Sequence, residues 1–127
     1  MELVLDTNAY KEFCSNNKRA VELVQSADEI IIPFVTLAEL RAGFLGGTKA
    51  RHNEALLNRF LKSSRVRILF ADEATTFHYG VIFNQLRRQG TPIPTNDLWI
   101  AALSVQYNLT LLSFDRHFNS VAQLLRA

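Results

Sequence analysis

Short apolar runs alternate with helix-length amphipathic stretches along this chain. Leu3-Val4-Leu5 opens as a strand, and Ala9 to Gln25 reads as helical material with Ala20, Val21, Leu23 and Val24 on one face. The all-apolar Ile30-Ile31-Ile32, β-branched and closed by Pro33, has the composition of a strand buried on both faces. A helix from about Leu37 to Leu45 is predicted to stop at Gly46-Gly47, and a longer one to run from Lys49 to Lys62 with Ala55, Leu56, Phe60 and Leu61 inward. A strand follows at Val66 to Phe70. Asp72 is placed to cap a helix from Glu73 to Gln89, whose predicted apolar stripe is Phe77, Val81 and Leu86 and whose end carries Arg87 and Arg88. After the Gly90-Thr91-Pro92-Ile93-Pro94 loop, Thr95 or Asn96 is expected to cap a helix to about Tyr107. Leu109 to Leu112 then forms a buried strand, with a shorter one near Val121 to Leu125.

Strands that alternate with helices imply βαβ crossovers and a parallel sheet covered on both faces. The expectation is one α/β domain over residues 1–127, with a central parallel sheet of four to five strands in a three-layer αβα sandwich. In such folds functional groups gather beyond the C-terminal ends of the strands. Four acids occupy positions of that kind. Asp6 follows Leu3-Val4-Leu5, Glu39 follows the Ile30–Pro33 run within Thr36-Leu37-Ala38-Glu39, Asp97 follows Pro94-Thr95-Asn96, and Asp115 follows Leu109 to Phe114.

Each acid has a local alternative. Thr36 and Glu39 match a capping box, Asp6 suits an N-cap, Asp97 suits the first turn of its helix, and Asp115 suits a turn. Their recurrence at one predicted edge favours a shared role. Two carboxylates about 4 Å apart repel by roughly 4 kcal/mol at an effective dielectric near 20, so a cluster needs protons, basic partners or divalent cations. An oxygen-only donor set suits Mg²⁺ or Mn²⁺, the ions used in phosphodiester hydrolysis.

Charge agrees with a polyanionic substrate. The 127 residues carry 14 basic and 12 acidic side chains, a net +2, and setting the four acids aside leaves a surplus of six basic groups. With 48% hydrophobic residues the chain can bury a sizeable core. Cys14 is its only cysteine, which excludes an intrachain disulfide or cysteine-based zinc site, and it reads as a small core or helix residue. No long apolar span or basic-then-apolar leader is visible, so a cytoplasmic protein away from membranes is expected.

The segments LVLDTNAY, VTLAELRAGF and PIPTNDLWIAALSVQYNLTLLSFDRHF resemble the motif blocks of the PIN domain, particularly the toxin ribonucleases of VapBC toxin–antitoxin modules. The resemblance spans nearly the whole chain. It implies a catalytic, metal-binding quartet of Asp6, Glu39, Asp97 and Asp115, supported by Thr7, Asn8, Asn96 and Ser113. The fourth block departs from the pattern in that Phe114 separates Ser113 from Asp115, which leaves its metal contact open. The resemblance further implies Mg²⁺- or Mn²⁺-dependent cleavage of RNA, such as structured RNA of the transfer-RNA kind, leaving 5′-phosphate and 3′-hydroxyl ends. It also implies a homodimer and an antitoxin partner.

Arg41, Lys49, Arg51, Arg87, Arg88 and Arg116 are candidates for phosphate contact, with Arg41 and Arg116 nearest the acids in sequence. His52, His78 and His117 share no metal-ligand spacing, and His117 reads as a surface residue. Tyr10, Phe34, Phe44, Phe83 and Trp99 are candidates for base stacking, though aromatics at these spacings are more often core or subunit-interface residues, and Trp99 reads as packing. Two other functions remain open at this point. One is a PIN-like module that binds RNA or protein without cleaving, and the other is a phosphoacceptor receiver domain, which would need an acidic pair where Asp6-Thr7 stands.

Overall fold

In the computed structural model, which describes residues 1–127, five strands and six helices alternate almost as the apolar pattern predicts. The strands are β1 (Glu2–Leu5), β2 (Glu29–Pro33), β3 (Val66–Leu69), β4 (Thr110–Leu112) and β5 (Leu125–Arg126). They form one sheet in the order β3-β2-β1-β4-β5, every neighbouring pair parallel. Between them lie α1 (Thr7–Cys14), α2 (Lys18–Ser26), α3 (Phe34–Gly46), α4 (Ala50–Leu61), α5 (Glu73–Gln89) and α6 (Thr95–Gln106). A short 3₁₀ turn covers Arg116–Ser120.

The apolar strands are uniform because both faces are covered. On one face Val4, Ile31, Leu69 and Leu111 pack against Ile82 and Leu86 of α5 and Leu98, Ala101 and Leu103 of α6. On the other, Leu3, Leu5, Ile30, Ile32 and Leu112 pack against Ala9, Ala20, Val24, Leu37, Leu40 and Leu57 from α1 to α4. Successive residues of β1 and β2 thus divide between two cores, as the two-residue period of a strand requires.

The chain builds outward from β1 through β2 to β3, then crosses back to place β4 on the other side of β1. The β1/β4 boundary is therefore the topological switch point, where side-chain groups past the strand ends face an open crevice. A flavodoxin-like receiver has the order 2-1-3-4-5. The order found here excludes that alternative.

Several local expectations are corrected. The helical stretch after β1 is two helices, because Asn16 adopts a left-handed φ of 61° and Asn17 caps α2 by accepting the Ala20 N–H. The α3 helix starts directly after Pro33, so Thr36 lies inside it and no capping box forms with Glu39. The Thr36 hydroxyl donates instead to the buried Leu5 carbonyl at 3.1 Å. In α4 it is Leu57 that is buried, with Phe60 and Leu61 beside it, while Ala55 and Leu56 face solvent.

In α5 the inward stripe is Thr75, Ile82 and Leu86, whereas Phe77 and Val81 are exposed. Leu86 lies five residues beyond Val81, a spacing that leaves it off the stripe begun by Phe77 and Val81. The Asp72 cap holds and is reciprocal, with the Asp72 carboxylate accepting the Thr75 N–H and the Thr75 hydroxyl facing the Asp72 backbone N–H. Neither Thr95 nor Asn96 caps α6, since Pro94 occupies that position without a side-chain bond. Of the two places expected for Cys14, core or helix, it takes the helix, exposed at the end of α1. Trp99 does pack, 4.5 Å from Tyr79 between ring centres, while Phe83 is partly open to solvent. No helix is long and apolar enough to cross a membrane.

Candidate active site

The four acids meet. Asp6 leaves the end of β1, Glu39 projects from the second turn of α3, Asp97 from the first turn of α6, and Asp115 precedes the 3₁₀ turn after β4. All four line one cavity of about 560 Å³ together with Thr7, Asn8, Lys11, Pro94, Thr95, Asn96 and His117, a lining in which Pro94 is the one apolar residue.

Asp6 is held on both oxygens. Its Oδ1 accepts the Ala9 N–H at 2.8 Å, capping α1, and its Oδ2 accepts the Ser113 hydroxyl. Ser113 Oγ in turn accepts the Asp115 N–H at 3.0 Å, so one hydroxyl ties the end of β1 to the segment beyond β4. Glu39 Oε1 accepts the Thr7 hydroxyl at 2.6 Å, which fixes the α3 carboxylate against the start of α1. Asp115 caps its own turn by accepting the His117 N–H at 2.9 Å. The local capping roles of Asp6 and Asp115 therefore coexist with membership of the cavity, and one geometry serves both.

His117 is exposed, as expected of a surface residue, but its part in the site was missed. Its Nδ1 lies 3.0 Å from Asp97 Oδ2 and 3.0 Å from Asp115 Oδ1, at the border of the cavity. Lys11 was also missed. It stands on α1 four residues after Thr7 and three after Asn8, the spacing that puts side chains on one helix face. That spacing was available in the sequence. The proximity of His117 to Asp97 was not, because the two lie twenty positions apart with a strand between them.

Burial at 4% relative exposure pushes the Asp6 carboxyl above its ordinary value, against the lowering effect of the Ser113 and Ala9 bonds, with Asp97 and Asp115 adding repulsion. Asp97 is likewise raised, first by desolvation, with the His117 bond opposing and Asp115 and Glu39 reinforcing. None of the four acids has a lysine or arginine within ion-pair distance. Arg41, a candidate for phosphate contact, instead holds Glu54 through two nitrogens at 2.9 to 3.2 Å and braces α3 against α4. Arg116 lines an adjoining recess with Phe114, Asp115 and His117.

A parallel αβα sheet thus carries a carboxylate-lined crevice at its switch point. A family model described as PIN domain matches residues 3–124. Ribonuclease VapC1 of Haemophilus influenzae is 31% identical, over 98% of this chain and 95% of that protein. Ribonuclease VapC2 of Rickettsia felis is also 31% identical, over 98% of this chain and 96% of its own length. Among solved structures, VapBC-1 from nontypeable Haemophilus influenzae superposes with a TM-score of 0.88 at 30% identity, covering 100% of this chain and 97% of that one. VapBC2 from Rickettsia felis, bound to a DNA fragment from its promoter, gives 0.86 at 29% identity, covering 100% and 98%. The chain belongs to the PIN-domain family, among the VapC ribonucleases.

Proposed function

We infer that residues 1–127 act as one PIN domain that hydrolyses RNA phosphodiester bonds with the help of Mg²⁺ or Mn²⁺, as the toxin of a VapBC-type pair. The observation that carries this reading is the convergence of Asp6, Glu39, Asp97 and Asp115 on one polar cavity in a VapC-family chain. The residues fit a divalent cation. They supply mainly hard oxygen donors, and none of the four carboxylates has a lysine or arginine within ion-pair distance. Asp6, Asp97 and Asp115 would hold the cation, with Glu39 holding it or orienting the attacking water. When bound, the cation supplies Lewis acidity, acidifying a water and offsetting charge on the phosphoryl oxygens.

The chain's own groups do the positioning. Thr7 keeps the Glu39 carboxylate in one orientation, Ser113 does so for Asp6, and the Asn8 and Asn96 amides line the cavity beside them. Lys11, a cation in the cavity with no carboxylate within ion-pair distance, is suited to hold a phosphate next to the scissile one. The VapBC relatives, toxin–antitoxin pairs of which one is bound to promoter DNA, support an antitoxin protein as partner; a homodimeric toxin that acts on structured RNA in the cytoplasm completes the reading.

The test is incubation of the chain with a pool of structured RNAs, with Mg²⁺ or Mn²⁺, with excess EDTA, and in parallel with an Asp6→Asn, Asp97→Asn double variant. Discrete metal-dependent cuts that the variant lacks are expected. Cation binding without cuts on any RNA in the pool would favour the non-cleaving binding module instead.

A further inference from the structure

His117 sits where a metal ligand would sit, and nothing in the hydrolytic scheme above requires it there. One ligand atom each from Asp97, Asp115 and His117 lie within 4.8 Å of one another. The imidazole enters this group by a covalently short route. The Asp115 carboxylate accepts the His117 backbone N–H, which fixes the turn, and that turn directs Nδ1 back toward the two carboxylates. His117 is half exposed and lines the cavity, so its ring borders the same space a cation and substrate would share.

We propose that His117 is a cation ligand through Nδ1 and makes the site discriminate in favour of Mn²⁺ over Mg²⁺. This rests on the metal-dependent reading above and adds the residue that selects the ion. The chemical reason is donor type. Mg²⁺ is hard and is held by oxygen and water, whereas imidazole suits first-row transition ions, whose affinity for nitrogen-containing sites rises from Mn²⁺ upward. A site of carboxylates alone has little basis for choosing between the two. One nitrogen placed 3.0 Å from two of those carboxylates supplies it.

The alternative is that His117 serves only as a hydrogen-bonding partner that orients Asp97 and Asp115. In that case removing the ring would weaken Mg²⁺ and Mn²⁺ binding alike, since the loss would fall on the shared oxygens.

The experiment uses the full chain labelled with ¹⁵N-histidine, loaded with Mn²⁺ and read by pulsed electron paramagnetic resonance. Calorimetric titrations of Mn²⁺ and Mg²⁺ accompany it, for the native chain and for His117→Ala. His52 and His78 lie outside the cavity lining, so a nitrogen coupling to bound Mn²⁺ reports on His117. The expected result is a coupling in the native chain that His117→Ala loses, with the Mn²⁺-to-Mg²⁺ affinity ratio falling about tenfold or more. Because the turn is capped by the His117 backbone rather than its ring, far-UV circular dichroism should be unchanged in the variant.

Bound Mn²⁺ without nitrogen coupling, or an unchanged affinity ratio, would overturn the ligand assignment while leaving the carboxylate site standing. Failure of the native chain to bind either ion would overturn both the assignment and the metal-dependent reading.

Discussion

Toward the N-terminal end of the strands, Arg67 bridges Glu2 and Glu29 and the Met1 ammonium binds Asp28, whereas beyond the C-terminal end four carboxylates share a cavity whose only basic side chains are Lys11 and His117. The first edge matches opposite charges across neighbouring strands, and its members are all partly exposed. The second gathers like charges and buries one of them, Asp6. Exposed pairs such as those at the first edge contribute little to stability. Grouped acids such as those at the second oppose folding until something positive arrives. The two edges of one sheet thus separate charge that serves the fold from charge that serves a ligand.

The comparison would be broken most directly at the acidic edge. Asp97→Asn is expected to lower RNA cleavage by roughly 10²–10³-fold, the scale of losing one electrostatic contact to a transition state. Circular dichroism should show an unchanged fold, and a gel-based cleavage assay supplies the rate. A smaller but measurable effect is expected from the cation itself. Mn²⁺ at about 100 times its dissociation constant should stabilise the protein by roughly 2.7 kcal/mol in thermal unfolding, and EDTA should remove that gain.

The two edges should also respond oppositely to pH. Asp6 and Asp97 have carboxyls raised in the fold, so each contributes stability that is present below the ordinary carboxylate value and is lost as pH rises through its raised value. Asp28 is lowered, first by its bond to the Met1 ammonium, so its contribution is present above the ordinary value and is lost as pH falls through the lowered one. Without metal, Asp6→Asn should therefore raise stability near neutral pH, by about 1 kcal/mol on the usual scale of single substitutions, since Asn caps a helix as well as Asp does. Denaturant titrations at two pH values, in EDTA, would show it. If Asp6→Asn proved destabilising at neutral pH, the acidic edge would not be under electrostatic strain.

Lys11→Ala is expected to raise the KM for RNA several-fold with little change in kcat, and to reduce the slope of log affinity against log salt by about one. A drop in kcat at constant KM would instead place Lys11 in the chemistry. The smallest effect belongs to the other edge. Arg67→Ala should cost less than about 1 kcal/mol and leave cleavage untouched, and unfolding and cleavage assays on the same preparation would check both.

The layout of the fold was legible because it follows from periodicities that act within a few residues. Ile30-Ile31-Ile32 reads as a doubly covered strand, and the α5 boundaries at Glu73 and Gln89 follow from Asp72 at one end and Gly90, with a φ of 73°, at the other. Where two helical faces were both apolar enough, the pattern did not choose between them. Leu56 and Leu57 differ only in which one the sheet covers, and Phe77 and Val81 lost to Thr75 and Ile82 for the same reason. The Thr36 hydroxyl had a local capping partner on paper, but the neighbouring β1 carbonyl of Leu5 took it instead.

By itself the sequence determined the alternation of strands and helices, and with it the placing of Asp6 and Asp115 just past strand ends and of Glu39 and Asp97 near helix starts, because hydrophobic period and helix-start signals are local properties. Only the tertiary structure decided how those acids are held and what stands among them. Ser113 bridges Asp6 to the Asp115 backbone, Thr7 fixes Glu39, Arg41 is drawn off to Glu54, and His117 turns inward between Asp97 and Asp115. These are contacts between segments far apart in the chain, set by strand order and by a switch point that no spacing within one segment encodes.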